Sequence, residues 1–302
     1  MVMSTRRGFL KTTAASSVMA AVGGGAAETT AGKSEVFTGK GKAEEIIPKI
    51  FDKLGGIQNF IKPGGRVLVK PNFSFSNPPE WGTGTSPEAI RTVVKMCLDA
   101  GAKNVVVCDN VLREPGACRK KTGVDKAVSD LKGAVVFIPK QGSFFEEKTN
   151  DKAKALTETK IVKELGKADL FISLPAAKSH SAAGVSLGIK GMMGLIKDRS
   201  VLHREMDLHT AIADLLYYMR PHITIVDATR ALLDNGPGGP GKVKELKTFV
   251  GGLDPVAVDS HAVTLTPWYG RRFEGTQVKY IEKAGALGFG NAASDMIKEI
   301  AV

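Results

Sequence analysis

Residues 66–72, with the sequence RVLVKPN, begin as an apolar run and end in a lysine, a proline and an asparagine. Short runs rich in valine, isoleucine and leucine are typical of strands that are buried on both faces of a sheet. Four more such runs follow, so that strands are predicted over residues 66–70, 104–108, 134–138, 169–174 and 222–226.

Amphipathic segments around these runs predict helices over residues 44–61, 87–100, 124–131, 206–218, 255–265 and 277–284. Ser86 and Pro87 form a favourable helix start, because a capping side chain precedes a proline at the first helical position. Strands that alternate with helices predict an α/β fold with an open, largely parallel sheet and helices on both faces.

The amino terminus predicts export from the cytoplasm. Residues 4–11, STRRGFLK, are similar to the twin-arginine signal pattern, and residues 12–27 form a mildly apolar stretch that ends in small residues. We expect a signal peptide over residues 1–27, cleaved near Ala27 after passage through the twin-arginine translocase, and a periplasmic protein without a stable membrane span. Residues 28–43 are expected to be a flexible linker, and residues 44–302 a single α/β domain.

The charge balance favours an anionic partner. The formal net charge of +11 falls by three to +8 when Arg6, Arg7 and Lys11 are removed with the signal. A basic protein attracts anionic ligands or surfaces. Nucleic acid is not an expected partner, because the lysines are spread through the chain without interleaved aromatic residues.

The three cysteines do not have the spacing of an iron–sulfur or haem attachment motif. Cys97 and Cys108 lie in apolar segments and are interpreted as core residues, whereas Cys118 is placed in a loop. An oxidising compartment would permit a Cys108–Cys118 disulfide.

Polar residues follow four of the five predicted strands at their carboxyl ends. Any one of them alone would be ordinary turn chemistry. The carboxyl ends of parallel strands meet at one edge of the sheet, where ligands bind in this architecture, so four together predict a shared site. The expected ligand-binding residues are Lys70, Asn72, Asp109, Ser179, Lys190, Asp227 and Asn235.

Several of these motifs, taken in order, resemble the bacterial and archaeal family catalogued as domain of unknown function 362. They are residues 67–72, 85–87, 178–180 and 188–191, Asp227, the loop 236–241 and residues 254–259. The resemblance implies no defined reaction. Some relatives join this domain to ferredoxin-like cysteine clusters, and such clusters are absent from this sequence.

Three residues are the catalytic candidates: Lys178, His180 and Asp259. An imidazole has an ordinary pKa near 6.5, so His180 would act as acid or base at neutral pH. Asp259 is flanked by apolar residues, and a buried carboxylate requires a partner, for which Lys178, Lys190, a metal or a ligand are candidates.

Residues 186–196 predict a small-residue helix that carries Lys190. Free amides at a helix start, together with lysines, suit a carboxylate or a phosphate. The alternative interpretation is that these glycines only permit tight helix packing.

The remaining motifs are less specific. His203 and His209 are six positions apart, which does not place them on one helical face, but with His180 they are candidate ligands of a single metal ion. The loop 236–242, GPGGPGK, nearly matches a phosphate-binding loop, but Val243 stands where Ser or Thr is required. A lid over a ligand and a plain connector are both open interpretations of this loop.

These observations favour an enzyme that acts on a small anionic substrate by Lys/His/Asp acid–base chemistry. A non-catalytic periplasmic protein that binds a ligand, a metal or a redox partner is the second hypothesis. A metal-dependent hydrolase or isomerase is the third.

Overall fold

A computed structural model describes residues 32–302 of the chain. Its strands are β1 (Ser34–Lys40), β2 (Arg66–Pro71), β3 (Asn104–Cys108), β4 (Ala134–Phe137), β5 (Phe145–Thr149), β6 (Glu158–Val162), β7 (Leu170–Leu174), β8 (Ala176–His180), β9 (Gly184–Ser186), β10 (Ile223–Leu232), β11 (Val243–Gly252) and β12 (Ile297–Ala301). Its helices are α1 (Ala43–Lys53), α2 (Pro87–Asp99), α3 (Pro115–Lys121), α4 (Val124–Val128), α5 (Lys163–Gly166), α6 (Gly188–Gly191), α7 (Ser200–Arg204), α8 (Leu208–Tyr218), α9 (Pro255–Thr264) and α10 (Lys279–Ala286). Short 3-10 turns occur at Ile57–Asn59, Pro79–Trp81, Gly142–Phe144, Met192–Leu195, Gly275–Gln277 and Ser294–Met296.

The main sheet has the strand order β12-β1-β11-β10-β7-β2-β3-β4. The run from β10 to β4 is parallel throughout, and it consists of the five strands predicted from sequence. Strand β11 pairs antiparallel with both β10 and β1, while β12 lies parallel to β1. The prediction of an open, largely parallel α/β sheet is therefore confirmed.

Both faces of the sheet are covered by helices, as predicted. Along β2, Val67 and Val69 belong to one buried cluster, and Leu68 between them belongs to the other. The first cluster receives side chains from α1, α2, α3 and α4, and the second receives side chains from α6, α8, α9 and α10. Side chains alternate across a strand, so a continuous apolar run feeds two cores at once.

The prediction of a flexible linker over residues 28–43 is wrong for the part that the structure describes, from residue 32 onward. Ser34–Lys40 in this part form β1. This strand is held between β11 and β12, which are remote in sequence, so the local pattern does not reveal it. The predicted helix 44–61 ends at Lys53, since Gly55 and Gly56 have φ values of 96° and 91° and stop it.

The predicted helix 186–196 is also wrong in form. Strand β9 ends at Ser186, α6 has four residues, and a 3-10 turn occupies Met192–Leu195. Residues 176–180, which follow the predicted strand over residues 169–174, form a further strand, β8. Strand β10 continues beyond β7 and pairs with β8, so the sheet extends past its expected edge.

The Cys108–Cys118 disulfide is not formed, and both cysteines are buried and free. Cys118 lies in α3, and the two thiols belong to different buried clusters on opposite faces of the sheet. The predicted signal peptide, residues 1–27, lies outside the described residues. Within residues 32–302, no helix has the length and apolar character needed to cross a membrane.

Candidate functional site

A cavity of about 450 Å³ lies where β2, β3 and β8 end. Its volume falls within the usual range for a small-molecule pocket. Its walls bring together six of the ten predicted catalytic and ligand-binding residues: Lys70, Asn72, Asp109, Lys178, His180 and Lys190. Ser74, Ser186, Arg199, His203 and Arg204 add polar lining, while Phe75, Met193 and Pro237 add apolar lining.

The cavity is strongly cationic. Lysines 70, 178 and 190 and arginines 199 and 204 line it, and Asp109 is the single carboxylate among the lining residues. The three lysines are buried, with between 2% and 7% of each residue exposed. Buried charges are costly unless they are paired, so this excess of positive charge requires a reason.

The buried charge of Lys70 is explained by contacts within the protein. Its Nζ lies 3.2 Å from Asp109 Oδ1, and it donates to the carbonyl of Pro71. Asp109 Oδ2 in turn accepts from the Phe73 amide at 3.0 Å and the Ser74 hydroxyl at 2.7 Å. Gly194 permits this packing, because any Cβ there would clash with both members of the pair. Lys70 is therefore a paired charge that belongs to the fold.

Lys178 and Lys190 differ, because no carboxylate of the described residues forms an ion pair with either of them. Lys178 Nζ donates to the Thr83 carbonyl at 2.6 Å, and Lys190 Nζ has no acceptor within residues 32–302. Burial, followed by repulsion from Lys70, lowers the pKa of Lys178 to about 7. Burial, followed by repulsion from Arg199, lowers the pKa of Lys190 to about 7. Near neutral pH both amines exchange protons readily, and a bound anion would favour their charged forms.

His180 is held as a neutral imidazole. Its Nδ1 accepts from the amides of Ala182 at 3.2 Å and Ala183 at 3.1 Å, which leaves the proton on Nε2. Burial and the charge of Lys190 lower its pKa to about 2. The expectation that this ring titrates near pH 6.5 is therefore wrong. The His203 ring stacks on it with centroids 5.8 Å apart and an interplanar angle of 9°.

Asp259 lies outside the cavity and pairs with neither Lys178 nor Lys190, contrary to expectation. Its two carboxylate oxygens accept from the amides of Gly188 at 2.8 Å and Ile189 at 2.9 Å. These are the first amides of α6, the helix that carries Lys190 into the cavity wall. Burial raises the pKa of Asp259 to about 7, against the effect of these two amides. Asp259 thus holds the start of α6 in place and does not line the cavity.

Three predicted ligand-binding residues do not line the cavity: Ser179, Asp227 and Asn235. Asp227 accepts from the amide and hydroxyl of Ser86, at 2.8 and 2.6 Å, at the start of α2. Ser179 Oγ accepts from the Gly236 amide at 3.0 Å, and Asn235 Nδ2 donates to the Pro240 carbonyl at 2.6 Å. The contacts of Ser179 and Asn235 hold the glycine- and proline-rich loop, residues 236–241, in place.

That loop connects β10 to β11 and contributes Pro237 to the cavity wall. Asn77 Nδ2 donates to its Gly238 carbonyl at 2.9 Å, so the loop is held from two sides. Asn72, which does line the cavity, uses its Oδ1 to accept from the Ala176 amide at 3.0 Å. In this structure the glycine- and proline-rich loop forms part of the cavity wall through Pro237.

The model of the family described as Domain of unknown function (DUF362) matches residues 67–264. The chain belongs to this family. All residues that line the cavity fall inside the matched segment, whereas β1 and β12 fall outside it.

Two further similarities were found. The thylakoid-associated protein sll1697 of Synechocystis sp. (strain ATCC 27184 / PCC 6803 / Kazusa) is 26% identical over 203 residues, which are 64% of this chain. The chain spans 61% of the length of that relative. The solved structure of the lactate racemase apoprotein from Thermoanaerobacterium thermosaccharolyticum superposes with a TM-score of 0.47 at 14% identity, covering 74% of this chain and 55% of that one.

Sequence reasoning missed Ser74, Arg199 and Arg204. Arg199 Nη1 lies 3.5 Å from the Ser74 hydroxyl, and Arg199 is a half-buried residue of the cavity wall. Arg199 and Arg204 lie in the segment that follows Met192–Leu195. This segment does not follow the end of a strand, so the pattern that predicted the other site residues does not include it. The only sequence signal for Arg199 is its position shortly after the glycine-rich stretch that carries Lys190.

The candidate metal site at His180, His203 and His209 is not formed in the described part of the chain. Within residues 32–302, no group of three or more His, Cys, Asp or Glu side chains is arranged to hold a metal ion. His180 and His203 stack as rings, and His209 does not line the cavity.

Proposed function

We propose that this protein is an enzyme that binds a small anionic substrate in the lysine-lined cavity. The proposal rests on a difference between the buried lysines of the cavity wall. Lys70 has Asp109 at 3.2 Å, whereas Lys178 and Lys190 are almost as buried and have no carboxylate partner among residues 32–302. A carboxylate or phosphate group would supply the missing negative charge.

The ligand class follows from the donors. Lys178, Lys190 and Arg199 offer charge-assisted hydrogen bonds, which are the stronger kind and suit carboxylate or phosphate oxygens. The volume of about 450 Å³ suits a metabolite rather than a polymer. Phe75, Met193 and Pro237 supply an apolar wall for the uncharged part of such a molecule.

The proposed chemistry is proton transfer by the lysines. An amine with a pKa of about 7 serves as a general acid in one form and as a general base in the other. His180, neutral and with its proton on Nε2, is suited to donate a hydrogen bond to a developing oxyanion. Asp259 supports the reaction through α6, without touching the substrate.

Direct binding tests this proposal. Isothermal titration calorimetry at pH 7 with phosphate, sulfate and small carboxylates should give saturable binding of one anion per chain. Lys178→Ala and Lys190→Ala should each weaken that binding at least about tenfold, the loss of one charge-assisted hydrogen bond. Unchanged affinity in both variants would contradict the proposal.

We also propose that the enzyme acts in the periplasm after export by the twin-arginine translocase. The support is the STRRGFLK pattern at residues 4–11 and the short, mildly apolar stretch after it. Replacing both Arg6 and Arg7 by lysine should leave the precursor in the cytoplasm, as measured by cell fractionation and immunoblotting. Processed periplasmic protein in that double variant would refute this part of the proposal.

A further inference from the structure

Of the three lysine amines in the cavity wall, Lys190 makes the fewest hydrogen bonds and ion pairs with the rest of the protein. Lys70 Nζ contacts Asp109 and the Pro71 carbonyl, and Lys178 Nζ donates to the Thr83 carbonyl. Lys190 is a buried residue that lines the cavity, and its Nζ has no hydrogen-bond acceptor within residues 32–302. The Lys190 side chain therefore reaches the space that a ligand would occupy.

The backbone beneath Lys190 is fixed. Asp259 accepts from the amides of Gly188 and Ile189, and the Gly191 amide donates to the Leu187 carbonyl at 2.8 Å. Asp259 and Gly188 are in such close contact that any Cβ at position 188 would come within 2.9 Å of the carboxylate. The amine therefore extends from a rigid one-turn helix, which favours a defined line of approach.

The charges around this amine keep it nucleophilic and supply an anion site beside it. Arg199, Lys178 and Lys70 lower its pKa after burial has done so. A neutral lysine in a desolvated site next to other cations is the form that attacks carbonyl carbons. The same cations attract a carboxylate, so the cavity combines a nucleophile with a carboxylate-binding wall.

We propose that Lys190 forms a Schiff base with the carbonyl carbon of a small 2-oxo carboxylic acid, whose carboxylate is held by Lys178 and Arg199. This proposal rests on the anion site proposed above and names the substrate class for it. A 2-oxo acid is the simplest molecule that presents a carbonyl next to a carboxylate.

The step balances without an oxidant or a reductant. The Lys190 lone pair forms a C–N bond as the carbonyl π electrons move to oxygen, which takes up the proton that the new ammonium nitrogen releases. The resulting carbinolamine loses water: its C–O bond breaks, and the electron pair leaves with the protonated hydroxyl group. The product is a protonated imine, so one amine, one carbonyl and one proton give one iminium ion and one water. The Lys178 ammonium, in the same wall, is the proposed donor of the proton that leaves with the hydroxyl.

Reductive trapping tests the proposal. The full folded chain is incubated with pyruvate and sodium cyanoborohydride at pH 7, and intact mass and peptide mapping are measured. We expect one adduct per chain, with a mass gain equal to pyruvic acid less one oxygen atom, located on Lys190. Lys190→Arg, which keeps the charge, should reduce this adduct at least tenfold. Lys62→Arg, at an exposed lysine, should leave it unchanged.

The outcomes separate this proposal from the anion site. Thermal stabilisation by pyruvate alone is measured on the same samples. A wild-type protein that pyruvate stabilises but that forms no adduct overturns the Schiff base and leaves the anion site standing. An adduct that persists in Lys190→Arg and maps to Lys178 also overturns the assignment to Lys190. Absence of the adduct, together with absence of stabilisation by pyruvate, phosphate and sulfate, overturns both proposals.

Discussion

The wall of one cavity contains two kinds of buried lysine. Lys70 is ion-paired with Asp109, and both side chains are 1% exposed. Lys178 and Lys190 are almost as buried but have no carboxylate partner in the described part of the chain. The first arrangement is explained by the fold, since the charges offset each other. The second is a cost to the fold, and such a cost is typical of a site arranged for a ligand.

The largest predicted effect comes from breaking the paired arrangement. Asp109→Asn would leave Lys70 without its counter-charge beside Lys178, Lys190 and Arg199. We expect the free energy of unfolding to fall by about 3 to 5 kcal/mol, the usual cost of an uncompensated buried charge. Urea denaturation followed by circular dichroism measures it.

A matched variant sharpens this result. Lys70→Met, combined with Asp109→Asn, removes both charges, so the double variant should recover part of the lost stability. A loss below about 1 kcal/mol in Asp109→Asn would show that the pair is not the stabilising contact described here.

The second prediction concerns pH and the unpaired lysines. Their pKa values are about 7 in the folded protein, against an ordinary 10.5 in the unfolded chain. Between pH 7 and 9 the unfolded chain therefore binds more protons, so the ligand-free protein should gain stability as the pH rises. Thermal unfolding at closely spaced pH values checks this.

The other charged groups around these two lysines do not reverse the trend. Burial lowers the pKa of Arg199, which acts in the same direction as the lysines, while His180 and His203 have lowered pKa values and stay neutral above pH 7. Lys70 contributes in the same direction, since burial lowers its pKa despite Asp109. Lys190→Met should therefore reduce the slope without abolishing it, and an unchanged slope would contradict the account. Anion affinity should fall over the same range, as the lysines lose their protons.

The part of the fold that was predictable from sequence is the parallel half of the sheet. Strands β2, β3, β4, β7 and β10 include apolar runs that can be recognised without knowledge of their partners, although in β4 only Val136 is buried. Strands β1, β11 and β12 escaped prediction because they carry lysines and glutamates, as in IKEIA, and gain their order from remote pairing.

The same distinction applies to the site. Lys70, Asp109, Lys178 and Lys190 were predicted because they follow strand ends or a glycine-rich turn. Ser179 was wrongly included, because β8 is a strand whose side chains alternate. Lys178 and His180 face the cavity, and Ser179 between them faces the Gly236 amide. Arg199 required the tertiary structure, since only the fold brings its segment back to Ser74.

The third prediction, with a smaller expected effect, tests whether side chains of β8 alternate between the cavity and the opposite side of the strand. Ser179→Ala removes the acceptor of the Gly236 amide and should lower the free energy of unfolding by about 1 kcal/mol, the usual net value of such a hydrogen bond. It should leave anion affinity within about twofold, because Ser179 lies on the opposite side of β8 from the cavity. Calorimetric titration with phosphate measures that affinity, and a tenfold loss would return Ser179 to the list of ligand-binding residues.

The central claim is that Lys178 and Lys190 are held unpaired for an anion, and a thermal-shift titration of three proteins tests it most directly. Wild type, Lys178→Ala and Lys190→Ala are each unfolded without added anion and with increasing phosphate, sulfate or small carboxylates. We predict that both variants have an unchanged or raised Tm without anion, because removing one cation relieves repulsion, and that both lose the stabilisation seen in wild type. Marked destabilisation of the anion-free variants, with the wild-type anion response retained, would contradict the account.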